Sequence, residues 1–222
     1  MNWWKKWLSW LMPIHIETID SQYNESMELD LINGRLRLTT RDAIYSFDDR
    51  YYNFYKTFRK TRLPKNGSEV LILGLGLGSI PYILERNFHK QFHYTAVELD
   101  EAVLYLFGKY QQRRLSSSFE IIQSDAANYI AVQDRKYHMI CIDVFIGEHV
   151  PVHIKSDDFI RHVKRSLSPS GRILWNMLYA TKEQVEEVNE FIELKFSVHF
   201  PDFQILEVLG NVIITNRPWG AS

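Results

Sequence analysis

Three glycines and four acids in this chain have the types and spacing of a nucleoside site. Gly74, Gly76 and Gly78 follow the apolar run 70–73 and precede a helical pattern that begins near Ser79. Glycines in such a turn let the backbone approach a ligand closely, and a helix start adds unpaired N–H groups. A second apolar run, 94–97, stops at Glu98, where a carboxylate is placed to accept hydrogen bonds from a ribose diol. Asp100 stands two residues on, and Asp125 and Asp143 close the next two apolar runs. Ligands of open α/β sheets sit beyond the carboxyl ends of the strands, so acids repeated at those ends share one crevice. Any one of them alone would serve as a helix cap, and Asp125 is well placed to cap the run AANYIA. Together they suit an adenosine-containing ligand, with Glu98 on the ribose and Asp125 on the adenine amino group. The small Ala126 beside Asp125 leaves room for the flat ring.

The glycine spacing narrows the ligand. The dinucleotide fingerprint G-x-G-x-x-G would place its third glycine at Ser79. The chain has G-x-G-x-G instead, a spacing common in S-adenosylmethionine-dependent enzymes, which have no pyrophosphate to cradle. Asp143 is the catalytic candidate, because its strand emerges at the sheet's centre beside the glycine turn. A sulfonium donor requires a nucleophile aligned with the carbon attached to sulfur, and alignment supplies much of the barrier reduction. If that nucleophile is an amine, a carboxylate can hold it, stabilise the charge growing on nitrogen and accept its proton. The plainer alternative is that Asp143 orients the loop after its strand.

The elements that must position these residues alternate after Gly67. Apolar strands are predicted near 69–73, 93–97, 119–123, 138–142 and 171–176, with helices near 79–88, 101–113, 126–133 and 157–167. Buried strands separated by helices specify a parallel, doubly wound α/β sheet. A further helix over TKEQVEEVNEFIELKF leads to two short runs around Leu209-Gly210-Asn211, a terminal hairpin that reverses the last strand. That ending fits the Rossmann-like methyltransferase variant better than the dehydrogenase one. Upstream, residues 14 to 46 alternate like short strands, with a two-residue hairpin signal at Asn33-Gly34. The aromatic-rich run 50–61 reads as a helix, and Leu63-Pro64-Lys65-Asn66-Gly67 marks the clearest boundary. The chain therefore divides into a Trp-rich segment (1–13), a small β-hairpin and gate-helix region (14–66) and a nucleotide-binding catalytic domain (67–222).

With 222 residues, 26 basic and 27 acidic, the chain has no broad field to favour nucleic acid. Its single cysteine, Cys141, excludes an internal disulfide and makes a reducing cytoplasm the default. His149 and His153, four apart with Pro151 between them, read as a surface loop, and no metal is expected. The opening MNWWKKWLSWLMP is too short to span a bilayer. Trp3, Trp7, Trp10 and Leu11 would share one helical face beside Lys5 and Lys6. Packing against the chain's own body or a partner subunit is the expectation there, ahead of attachment to a membrane surface.

From about residue 16 onward the chain resembles the spermidine synthase (polyamine aminopropyltransferase) family. The resemblance rests on LILGLGLGSIP, AVELDEAV, IIQSDAANYI and above all MICIDVFIGEHVPVHIKSDDFIRHVKRSLSPSGRILWNM. It implies a homodimer that joins an N-terminal β-hairpin region to a Rossmann-like domain and binds decarboxylated S-adenosylmethionine. On that pattern Glu98 matches the ribose-binding acid, Asp125 the adenine-binding acid and Asp143 the first acid of the catalytic D-x-x-D loop. Tyr52 matches the tyrosine of the Y-H/Q-E gate element, and Gln22 lies in a segment that approaches the donor. The chain departs from the family at three carboxylates. Leu77 stands where an acid holds the donor's ammonium, Ile146 where the second catalytic acid grips the acceptor, and Phe54 at the gate glutamate. A cationic amine facing these side chains would lack counter-charges. Glu148, two residues past Ile146, is the candidate replacement.

The reading that follows is aminopropyl transfer from decarboxylated S-adenosylmethionine to a polyamine-type amine. Its alternatives are methyl transfer from S-adenosylmethionine to a less cationic nucleophile, and a non-catalytic nucleotide-binding protein. A dehydrogenase comes after these.

Overall fold

A computed structural model describes residues 3–24, 26–40, 44–147 and 149–220. Two sheets organise it. The first is an antiparallel meander of β1 (Ile14–Asp20), β2 (Ser26–Ile32), β3 (Arg35–Thr39) and β4 (Ile44–Ser46). Asn33 and Gly34 both take positive φ, 49° and 74°, which closes the two-residue β2–β3 turn; primed turns of this kind match strand twist. Alternation then puts Met27, Leu29 and Leu31 of β2 on the same face as Leu36 and Leu38 of β3, all buried. That face packs on Leu77, Val103 and Leu106 of the larger domain, so one apolar cluster joins the two sheets.

The second sheet has seven strands: β5 (Glu69–Leu73), β6 (His93–Glu98), β7 (Ser118–Gln123), β8 (Tyr137–Ile142), β9 (Leu167–Leu178), β10 (Gln204–Val208) and β11 (Asn211–Thr215). Their order is β10-β11-β9-β8-β5-β6-β7. The pairs from β7 through to β9 are parallel, while β11 runs antiparallel to both β9 and β10. The expected strands and the reversed ending are all present. Chain order turns back between β5 and β8, and such a switch point opens a crevice at the carboxyl edge.

The longer α-helices among the described residues are α1 (Trp3–Leu8), α2 (Tyr52–Lys60), α3 (Ser79–Phe88), α4 (Glu101–Leu106), α5 (Ala126–Val132), α6 (Asp157–Arg165) and α7 (Lys182–Phe191). Alternate residues of the central strands feed two cores. Leu71, Leu73, Ile140, Ile142 and Trp175 pack with Phe159 of α6 and Phe191 of α7. Val70, Ile72, Met139 and Cys141 pack with Phe54 and Phe58 of α2 and Ile80, Ile83 and Leu84 of α3. The helix α2 lies before the Leu63–Gly67 boundary in sequence, yet it covers the large sheet. Its apolar stripe leaves it no other place to be buried.

A buried ion pair locks the two sheets together. Asp48 is buried with a φ of 38° and accepts from the Leu36 amide (3.0 Å), Gln111 Nε2 (2.8 Å) and Arg114 Nη2 (2.8 Å). Arg114 also sits over the Tyr82 ring, 4.7 Å from its centroid. Removing one partner strands a carboxylate away from water. Arg114→Met should therefore lower unfolding free energy by about 3–5 kcal/mol in denaturant titration.

Candidate active site

The switch point opens into a crevice of about 250 Å³, bounded by the turn after β5, the ends of β6 and β8, and β4 above; this lies near the small end of ligand sites. Its shape depends on Gly74. That residue takes φ 85°, and a Cβ there would lie 2.2 Å from the Asp143 carbonyl oxygen. No side chain can occupy that space without moving β8, so glycine is obligatory where the two central strands part. Gly76 also lines the crevice with a positive φ of 53°. Gly78 does not. A Cβ on it would meet Phe107 at 2.6 Å, so it serves close packing between α3 and the turns after α4.

Glu98 is fixed by the backbone. Its Oε2 accepts from the Gly76 amide at 3.0 Å, and its Oε1 accepts from the amides of Leu99 (2.8 Å) and Asp100 (3.1 Å). Burial pushes the carboxyl up, and these three amides draw it back toward the charged form. The glycine turn thus orients the acid beneath it through the Gly76 amide.

Asp143 sits at the end of β8, partly buried. Asn176 Nδ2 and Tyr51 Oη donate to its Oδ1, at 2.8 and 3.2 Å. Both bonds fall on Oδ1, leaving Oδ2 without a donor among the described residues; the buried Oδ1 of Asn176 also lacks a partner. Burial raises the Asp143 carboxyl to about 6, against the pull of the two donors. Tyr51 is pushed well above its ordinary range by burial and by the Asp143 charge. Tyr45 of β4, raised by burial to about 12, donates to the Phe145 carbonyl at 3.1 Å and so ties the small sheet to the loop after β8. Ser46 and Ser79 hydroxyls, 2.6 Å apart, tie the same strand to the start of α3.

The other expected residues divide. Asp125 and Ala126 line the crevice. Asp125 also caps α5 through the Ala127 and Asn128 amides (2.9 and 3.0 Å), and its Oδ2 pairs with His153 Nε2 at 3.0 Å. Asp100 lies outside the crevice: it is buried, caps α4 through the Ala102 amide at 3.0 Å, and receives Ser21 Oγ and Asn24 Nδ2. Its bonds fasten the SQYN turn to the large domain, and it is not among the residues that line the crevice. Gln22, on that turn, is exposed and away from the crevice. Tyr52 is likewise exposed, and its neighbours Tyr51 and Asn53 face inward instead. Glu148 lies outside the described residues. Leu77 and Phe54 are buried in packing clusters away from the crevice, whereas Ile146 is on its wall.

Asn176 was not marked by sequence reading. It lies inside the apolar strand run RILWNML, and a buried amide in such a run is the signal that could have found it.

Strand order, reversed last strand and crevice define a methyltransferase-like Rossmann fold. Solved structures agree. A probable spermidine synthase from Corynebacterium glutamicum superposes with a TM-score of 0.72 at 17% identity, over 90% of this chain and 78% of that one. A spermidine synthase in complex with the transition-state analogue AdoDATO gives 0.69 at 16% identity, over 91% and 72%. In sequence, the chain is 30% identical over 148 residues to the polyamine aminopropyltransferase of Vibrio vulnificus, covering 65% of this chain and 48% of that protein. No protein-family model matches. In sequence the chain is similar to polyamine aminopropyltransferases and in fold to spermidine synthases, and it spans about half or less of the length of the curated relatives it matches.

The raised Asp143 carboxyl has a consequence for stability. Because its folded value, about 6, lies above the ordinary 3.8, the folded state holds this proton more tightly than the unfolded chain. Its contribution is therefore favourable at low pH and is lost as pH rises between those values. Asp143→Asn keeps both hydrogen bonds and removes the titration. The variant's melting temperature should match the parent's near pH 4 and exceed it increasingly up to about pH 7, as followed by scanning calorimetry.

Proposed function

We propose that the protein transfers an aminopropyl group from decarboxylated S-adenosylmethionine to an amine. The observation that carries this reading is the Asp143 carboxylate on the crevice wall, with Oδ1 held by Tyr51 and Asn176 and Oδ2 left without a donor among the described residues. An attacking amine brings an N–H group to that free oxygen, a charge-assisted bond that strengthens as the nitrogen becomes positive. The relationship to polyamine aminopropyltransferases supports the same choice.

In this reading the adenosyl moiety lies along the glycine turn, with its ribose on Glu98 and its adenine beside Ala126 near Asp125. The amine nitrogen attacks the carbon attached to sulfur, a new C–N bond forms, and the C–S bond breaks to release methylthioadenosine as a neutral thioether. The nitrogen then carries the positive charge, and Asp143 stabilises it and takes its proton. Tyr51 and Asn176 hold the carboxylate in line by occupying its other oxygen. Tyr45, Ile44 and the loop through Phe145 and Ile146 roof the site and limit water.

Methyl transfer from S-adenosylmethionine is the second reading. One observation favours it: Leu77, where an acid would face the donor's ammonium, is packed against the small sheet instead.

The two readings separate by calorimetry with both donors. Tighter binding of decarboxylated S-adenosylmethionine, with methylthioadenosine released only when an amine is present, is expected; tighter binding of S-adenosylmethionine overturns aminopropyl transfer. The turnover rate should fall on the acid side with a midpoint near the Asp143 value of about 6. Asp143→Asn should lose roughly 10²–10⁴-fold in kcat while donor affinity is kept.

A further inference from the structure

Of the two packings expected for the Trp-rich start, against the chain's own body or a partner subunit, the structure does not show the first for its tryptophans. Trp3, Trp7, Trp10 and Leu11 are 82%, 68%, 62% and 72% exposed, and Trp4 and Met12 join them as exposed apolar side chains. The segment is nevertheless held in place. Ser9 is buried; its carbonyl accepts from the Asn33 amide at 2.7 Å and its hydroxyl from the Gly34 amide at 2.8 Å. The Lys6 stem and the Trp10 indole nitrogen lie beside Gly34. The β2–β3 turn thus presents α1 with its small polar side inward and its indoles outward. A soluble chain gains nothing by fixing four indoles in water.

We propose that residues 3–12 form an interfacial patch that docks the protein on anionic lipid surfaces. Tryptophan concentrates where a ring meets both hydrocarbon and headgroups, because its indole is apolar with one N–H to satisfy. Lys5 and Lys6 flank the patch, with Lys5 Nζ 5.7 Å from the Trp4 ring, and residues 3–13 contain no acid. That charge selects lipid over a second copy of the chain. A symmetric contact centred on this face would bring four lysines together without a carboxylate from either segment. No helix among the described residues is long and apolar enough to cross a membrane, so the patch would lie on a bilayer surface.

The test uses the full chain with vesicles of phosphatidylcholine alone or mixed with phosphatidylglycerol, read by co-sedimentation and by tryptophan emission. Binding to the anionic vesicles with a blue-shifted emission is expected, weakening as salt is added. Trp3→Ala/Trp7→Ala/Trp10→Ala should abolish it. Lys5→Gln/Lys6→Gln should weaken it about 25-fold, roughly fivefold for each lysine neutralised. Because none of the five side chains is buried, circular dichroism should show both variants folded. No binding to anionic vesicles at millimolar lipid overturns the proposal, as does a variant with all three tryptophans replaced that binds like the parent. A concentration-dependent dimer that the tryptophan variant dissolves would overturn it in favour of a second copy.

Discussion

The site depends on a carboxylate kept partly out of water at the end of the central strand. Asp143 is raised to about 6 by burial, which opposes folding at neutral pH, and two neutral donors on one oxygen offset part of that cost. The arrangement is incomplete: both donors fall on one carboxylate oxygen, and the other has none among the described residues. Glu98 shows the contrasting case. Three backbone amides saturate most of its capacity, so it is an orienting acid with little freedom to move. Two acids only one strand apart in the sheet therefore play different parts, set by what donates to them.

The small sheet is part of this device. Its apolar face packs on Leu77, Val103 and Leu106, Asp48 and Arg114 pin its last turn, and Asp100 receives Ser21 and Asn24 from the turn after β1. Those fastenings bring Tyr45 over the crevice and onto the Phe145 carbonyl. Leu77 has a clear structural use in that apolar seam, where a carboxylate would be misplaced.

Much of this was legible in the residues. Continuous apolar runs fixed where the parallel strands lie, Asn33-Gly34 fixed a hairpin, and acids at strand ends marked one edge of the sheet. Facing was harder to read. Tyr51 and Tyr52 are adjacent, and which one points inward depends on the turn at which α2 begins; that start is set by packing of Phe54 and Phe58 on the sheet. Asp100 was indistinguishable from a ligand-binding acid until Ser21 and Asn24, some 80 residues earlier, were seen to saturate it. Asn176 was hidden because strand burial alone accounts for its neighbours. The outward tryptophans were open for a similar reason: helical periodicity shows that a face exists and leaves open whether it turns to the chain's own body.

Diffraction from crystals soaked in methylthioadenosine tests the central claim most directly. Ribose hydroxyls should lie within hydrogen-bond distance of Glu98 Oε2, with the thioether turned toward Asp143 Oδ2 and the Asn176 carbonyl. A crevice left empty at saturating nucleoside, or a nucleoside bound elsewhere, would contradict the account.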